Sequence, residues 1–415
     1  MNRFPVLLAL AGLCLLLVLP DDMRAEATKL PVRIVVTPSK SARKDVPVSI
    51  VLDGLHERRG KLRLFEIRGN KRKAISSQWD TIGPHRLWWI MDGDTPGGAE
   101  RRYVLEMVAD REPAASTMRV DRTEAYLEIR RGDTKILRYN TKVTPLPPAA
   151  DPKYKRSGYI NPVWTPSGQV VTDRAKNYLH QLGVWLAYVG TSFEGRTPNF
   201  WDLLNGRATV QFSKMHHRVG GPVFAEFQVV QDHIDLATPV SPKVALKETW
   251  NVRAWNVGAR QGYSLYDIVT TISCAGPSPV TIKKHPWGGM AIRGAPEWYG
   301  EKCKFLTSAG KTRSKANHTR VRWCSISGST RGVWSGMTVM SHPANLRHPE
   351  PVRVNGTIPY FCFVGSYLGD FDITPDKPLV LRYRFLVHDG EVRADNADRL
   401  WKDFANPPAA VIVAE

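Results

Sequence analysis

The chain has 415 residues, 42% hydrophobic and 23% charged, and 58 Lys and Arg against 39 Asp and Glu leave it formally at +19. Beyond its first apolar run, no segment approaches the roughly 18 uninterrupted apolar residues of a spanning helix, which excludes a multi-span helical membrane protein. The excess positive charge attracts polyanions.

Residues 1–27 read MNR, then FPVLLALAGLCLLLVLP, then DDMRAEA. A short positive start, an apolar stretch and a small-x-small site at Ala25-Glu26-Ala27 form a secretory signal peptide, with the exported chain expected to start at Thr28. An uncleaved anchor is the alternative, disfavoured by the length of the run. Cys14 follows Leu13 rather than a small residue, so lipidation is not expected. Losing residues 1–27, which hold two basic and three acidic residues, raises the formal charge to +20. Export, to the periplasm, the medium or the cell surface, turns that charge away from nucleic acid and toward acidic or sulfated glycans. Solubility alone accounts for it equally well.

From Leu30 to about Asp110 short apolar runs (PVRIVV, VPVSIVL, KLRLFEIR, RLWWIM, RRYVLEMV) alternate with turn residues. This spacing predicts a small β-sandwich over 28–112. Between Lys40 and Lys73 stand eleven basic residues against four acidic, a solvated face before it is a binding one. EPAAST, Glu112–Thr117, reads as a linker. AYLEIRRGDTKILRYN then makes a hairpin whose Arg131-Gly132-Asp133 is the turn. Strands continue through 118–393 with almost no helical periodicity. Antiparallel strands without helical partners bury their faces sheet on sheet, so a large two-sheet sandwich is expected. DNADRLWKDF predicts one short helix, within a terminal segment 394–415.

Four cysteines follow the leader: Cys274, Cys303, Cys324 and Cys362. In an exported chain an even set permits two disulfides, in any of three connectivities. There is no Cys-x-x-Cys pair, so no metal site is expected, and no cofactor motif is present.

Candidate chemistry lies in the turn-rich segments. The stretch Tyr159–Asp202 combines His180, Gln181 and Gly183 with Trp185 and Trp201. A histidine there can act as general acid or base, or simply be hydrogen-bonded structure. His216 and His217, adjacent on a strand, point to opposite faces and cannot share a site. Lys284–Gly300 is dense in Gly, Pro and Trp and carries Trp287 and Arg293, a partner for a carboxylate or sulfate. SHPANLRHPEP brings His342, Asn345 and Arg347 between prolines. Carboxylates are sparse: Asp202, Glu226, Glu248 and Glu297 are nearest, and no spacing pairs two for glycoside hydrolysis.

The motifs NPVWTPSGQVVT, LHQLGVW, NFWD, GGMAIRG, SHPANLRHP and LRYRFLVHDG, in this order, resemble a family of exported bacterial proteins of unknown function labelled methane oxygenase PmoA-like. The resemblance covers about Val120 to Asp389 and implies a large sandwich similar to mutarotase-like supersandwiches. The family commonly carries Asp-His-Pro-His-His-Arg-Gly where this chain has Asn177 to Gly183, so only His180 and Gly183 persist. The methane label belongs to a multi-span subunit and is set aside.

The expectation is an all-β exported protein with a loop-built pocket for an anionic sugar. His180 and Glu248 are its catalytic pair, and Trp185, Trp201, Arg293, His342, Asn345 and Arg347 hold the sugar. The alternatives are the same loops holding a glycan without turnover, and a surface scaffold. One pocket is expected to gather His180, Trp201, Arg293, His342 and Arg347.

Overall fold

A computed structural model describes residues 30–80, 82–109 and 117–414. The expected signal peptide, its cleavage site and nearly all of the linker lie outside the described residues. The protein is all-β, with two sandwiches and a short helix near its C-terminus.

The first sandwich forms where period-two runs put alternate side chains on one face. Val32, Ile34 and Val36 of the strand Val32–Val36 are buried, as are Leu62 and Leu64 of Leu62–Arg68. They close on Trp89 and Tyr103, whose rings lie 5.2 Å apart. A five-stranded sheet faces one of three strands, Arg43–Val51, Arg86–Thr95 and Ser77–Trp79. The basic run is largely surface: Arg72 pairs with Glu106 at 2.6 Å and Lys73 with Asp92 at 3.3 Å.

The terminal segment carries the expected short helix. Ala394–Ala405 is helical, and Leu400, Trp401 and Phe404 pack into a cluster shared with Trp88 of the first sandwich and Trp255 and Trp323 of the second. Arg43 reaches across to Asp403 at 2.9 Å. The chain then returns to the first sandwich, where Ala410–Val413 pairs antiparallel with Val32–Val36, Ile412 opposite Ile34. Residues 394–414 thus hold a helix and a strand that joins the sheet of the first sandwich.

The large sandwich stacks a nine-stranded sheet on an eight-stranded one, with a small three-stranded sheet beside them. At the centre of the nine-stranded sheet Val184–Tyr188 lies between Tyr159–Val163 and Gly288–Arg293. Phe224–Asp235, Lys243–Trp255 and Tyr263–Cys274 are neighbours in the other sheet. Both sheets share one core, which includes Trp185, Phe227, Trp250 and Tyr266.

The four cysteines among the described residues, Cys274, Cys303, Cys324 and Cys362, are free thiols, so the two expected disulfides are not formed. Cys303, Cys324 and Cys362 are buried among core side chains, and the Tyr360 hydroxyl donates to Cys362 Sγ at 3.0 Å.

Candidate functional site

The loop from Asp173 to Leu182 folds back over the N-terminal end of the strand Val184–Tyr188. Its hinge is Gly183, at φ +82°, where a Cβ would collide with the Ile160 carbonyl. The Arg293 amide donates to the Gly183 carbonyl at 2.7 Å, and the Asp173 amide to the Arg293 carbonyl at 3.1 Å.

Side chains converge here. Arg293 is fully buried; its Nη1 donates to Gln181 Oε1 at 2.8 Å and its Nη2 to the Tyr299 hydroxyl. That hydroxyl donates to Asn177 Oδ1 at 2.9 Å. The guanidinium lies 4.9 Å from the Tyr299 ring centre and 5.9 Å from that of Tyr178. Tyr178 is 40% exposed and meets His180 edge-on at 6.2 Å. Burial, then the positive charges of Arg156 and Arg293, push the His180 pKa down to about 4, so the imidazole is neutral at physiological pH. Burial raises Asp173, against the pull of Arg293.

Arg156 was not foreseen. It follows the turn Pro152–Tyr154, and the chain around it is tied to the eight-stranded sheet. Phe212 N donates to Ser157 Oγ at 2.8 Å, and Thr209 Oγ1 to the Lys155 carbonyl at 3.3 Å. Gly158, at φ +74°, presses against the Gln231 side chain where no Cβ fits. Arg156 is 1% exposed, and none of its three guanidinium nitrogens has a hydrogen-bond partner among the described residues. Burial lowers its pKa to about 10, opposed by Glu248, Tyr159 and Tyr139, and it remains a cation at neutral pH. Lys153, Lys155 and Arg156 read as a solvated basic run. Only the packing of the turn singles out Arg156.

Glu248 is fully buried, and four donors hold its carboxylate. Trp250 Nε1 at 2.5 Å and Thr270 Oγ1 at 2.7 Å meet Oε1; Gln231 Nε2 at 2.6 Å and His233 Nε2 at 2.8 Å meet Oε2. Burial alone would raise its pKa; His233, Trp250 and Gln231 together bring it below the usual carboxylate range. Both oxygens are occupied and turned away from solvent, so Glu248 is a structural node, not a carboxylate poised beside His180.

The other expected residues do not join this loop. Trp185 and Trp201 are core, their rings 5.1 Å apart against Tyr360, and offer no face to a sugar. Arg347 is at the opposite end of the sheet. It donates to the carbonyls of Gly365, at 2.8 Å, and Gly369, beyond the end of Tyr360–Phe363 whose Phe363 pairs with Met290. Arg293 pairs with Tyr360 at the other end of that ladder. Asn345 is buried, donating to Glu350 Oε2 at 3.1 Å and to the Arg382 carbonyl at 2.9 Å. His342 packs edge-on against Phe404 at 4.9 Å. Ser341–Pro349 thus docks the terminal helix, and the expected single pocket is not formed. Trp287, 37% exposed, also lies at the far end, beside Gly288.

Among the described residues no three His, Cys, Asp or Glu side chains are grouped to hold a metal ion. A cavity of about 830 Å³ is lined by Gly300, which follows Tyr299, and by Cys303, Phe305, Arg313, Thr357 and Val392. Its polar groups are engaged with one another: Arg313 donates to the Gly300 carbonyl at 2.7 Å, and Lys304 pairs with Glu391 at 2.6 Å.

The model of a family of unknown function, DUF6807, matches residues 126–402. The chain belongs to that family. In this DUF6807 protein the match runs from the strand Tyr126–Arg131 into the terminal helix, and so includes Arg156, His180 and Arg293. No curated protein matches it in sequence. An α-mannosidase from Enterococcus faecalis V583 aligns at 11% identity and a TM-score of 0.44, over 92% of this chain and 46% of its own. The heparan sulfate lyase HepC from Pedobacter heparinus aligns at 8% identity and 0.31, over 69% and 38%. The chain thus spans less than half the length of either.

Proposed function

We propose that this DUF6807 protein is exported and binds an acidic sugar or glycan at the loop Asn177–Gln181, without turnover. The observation that carries this reading is the exposed Tyr178 ring standing over the buried Arg293 cation, beside Tyr299, Asn177 and neutral His180. A sugar needs a flat apolar face to stack on and donors and acceptors around it; an acidic one also needs a cation. All three are within one loop and the strand end beneath it. Binding is favoured over turnover because the carboxylate expected to partner His180 is held by four donors in the core.

Calorimetric titration with uronic-acid, sulfated and neutral oligosaccharides, with product analysis of each mixture, tests the reading. Acidic ligands should bind and remain intact, and Tyr178→Ala should weaken them about three- to tenfold through lost stacking. An unchanged affinity in Tyr178→Ala, or no binding of any acidic sugar, refutes the site.

A further inference from the structure

We infer that the site continues inward to Arg156, and that this buried guanidinium is the seat of the ligand's oxyanion, a sugar carboxylate or sulfate ester. The inference rests on the acidic-sugar reading of the loop above it. Its ground is what surrounds the cation. A buried guanidinium is normally paired and hydrogen-bonded, because removing it from water without compensation is costly. Arg156 is 1% exposed and its Nε, Nη1 and Nη2 all lack partners.

The polar groups around it are already committed. Glu248 accepts four hydrogen bonds from Gln231, His233, Trp250 and Thr270, none from Arg156. The Tyr139 hydroxyl donates to Gln231 Oε1 at 3.1 Å, and the Tyr159 hydroxyl bonds Thr144 Oγ1. Arg293 adds a second buried cation, and both guanidinium charges are felt at His180. Two buried cations thus act on one neutral, partly exposed imidazole, while the carboxylate of Glu248 has its hydrogen bonds taken by four other groups. A planar carboxylate or a sulfate group supplies what the fork of donors on Arg156 lacks. The neutral, partly exposed His180 imidazole is able to accept a hydrogen bond from a sugar hydroxyl.

The test uses the intact protein with glucuronate, glucose 6-sulfate, glucose and acetate as probes, in calorimetry and thermal unfolding. Arg156→Met should bind the acidic sugars at least about 30-fold more weakly, with Arg156→Lys in between. Whichever acid shows the loss names the oxyanion. Without ligand, Arg156→Met gives up no hydrogen bond but removes the charge that faces buried Glu248, so Arg156→Lys, which keeps that charge, serves as the folded control. Acidic sugars that bind Arg156→Met as well as wild type overturn the inference and leave the loop reading intact. Arg156→Lys that binds the acidic sugars as tightly as wild type also overturns it, because the donor fork of the guanidinium is then not what holds the oxyanion. Acetate that stabilises wild type but not Arg156→Met, while no sugar binds, supports the oxyanion seat and removes the acidic-sugar reading. If no anion shifts the wild-type melting temperature, the inference fails without recourse to any variant.

Discussion

Replacing Glu248 by Gln separates a structural role from a functional one. The substitution preserves shape but turns one carboxylate oxygen into an NH₂ group. Whichever oxygen is lost, two donors then face a donor: Trp250 and Thr270 on one side, or Gln231 and His233 on the other. Thr270 can rotate its hydroxyl and His233 can exchange tautomers, so one member of either pair is rescued. The other is left buried and unpaired, at a cost of about 1–3 kcal/mol. The surviving bonds pass from charge-assisted to neutral and lose about another 1–2 kcal/mol together. Glu248→Gln should therefore destabilise the large sandwich by about 2–5 kcal/mol, read from urea unfolding followed by tryptophan fluorescence. Below its new transition the folded variant should bind acidic sugars at least as tightly as wild type, since a negative charge near Arg156 has gone. A loss under about 1 kcal/mol would show that the carboxylate is not held as a four-donor node. Intact stability with abolished binding would return Glu248 to the site.

Two further outcomes follow from buried groups. Unfolded, unreduced protein should release four titratable thiols from Cys274, Cys303, Cys324 and Cys362; a count near zero would mean that disulfides form after all. Burial lowers His180 and His388 to about 4, so the unfolded chain takes up these protons first as pH falls. Stability should hold above the usual histidine pKa of about 6.5 and decline between there and about pH 4, by up to about 3 kcal/mol for a fully buried histidine and less for the partly exposed His180. Denaturant midpoints from pH 7.5 to 4.5 check this. His180→Gln should flatten the decline, and an identical slope in that variant would mean that His180 is not held neutral by its surroundings.

What the sequence determined by itself was local. Val32-Ile34-Val36 and its like alternate because a strand's side chains do, and burying one face of so many strands without helices requires sheet against sheet. The DNADRLWKDF helix followed from its own periodicity. The tertiary structure decided everything that depends on which strands become neighbours. AVIV, Ala410–Val413, reads only as part of a terminal segment, and nothing local says that it is a strand whose partner is Val32–Val36. Trp185 and Trp201 have the composition of a sugar platform, yet they pack on each other and on Tyr360 and are buried. Arg293 and Arg347 are alike in sequence context and lie at opposite ends of one ladder, because antiparallel pairing sends successive loops to alternate ends. Arg156 looks like the most ordinary surface cation of a basic run, and the packing of its turn against Gln231 buries it. Hydrophobic patterning acts over a few residues and is written along the chain. The environment of a charge is set by side chains distant in sequence, and exists only once the sheets have closed around it.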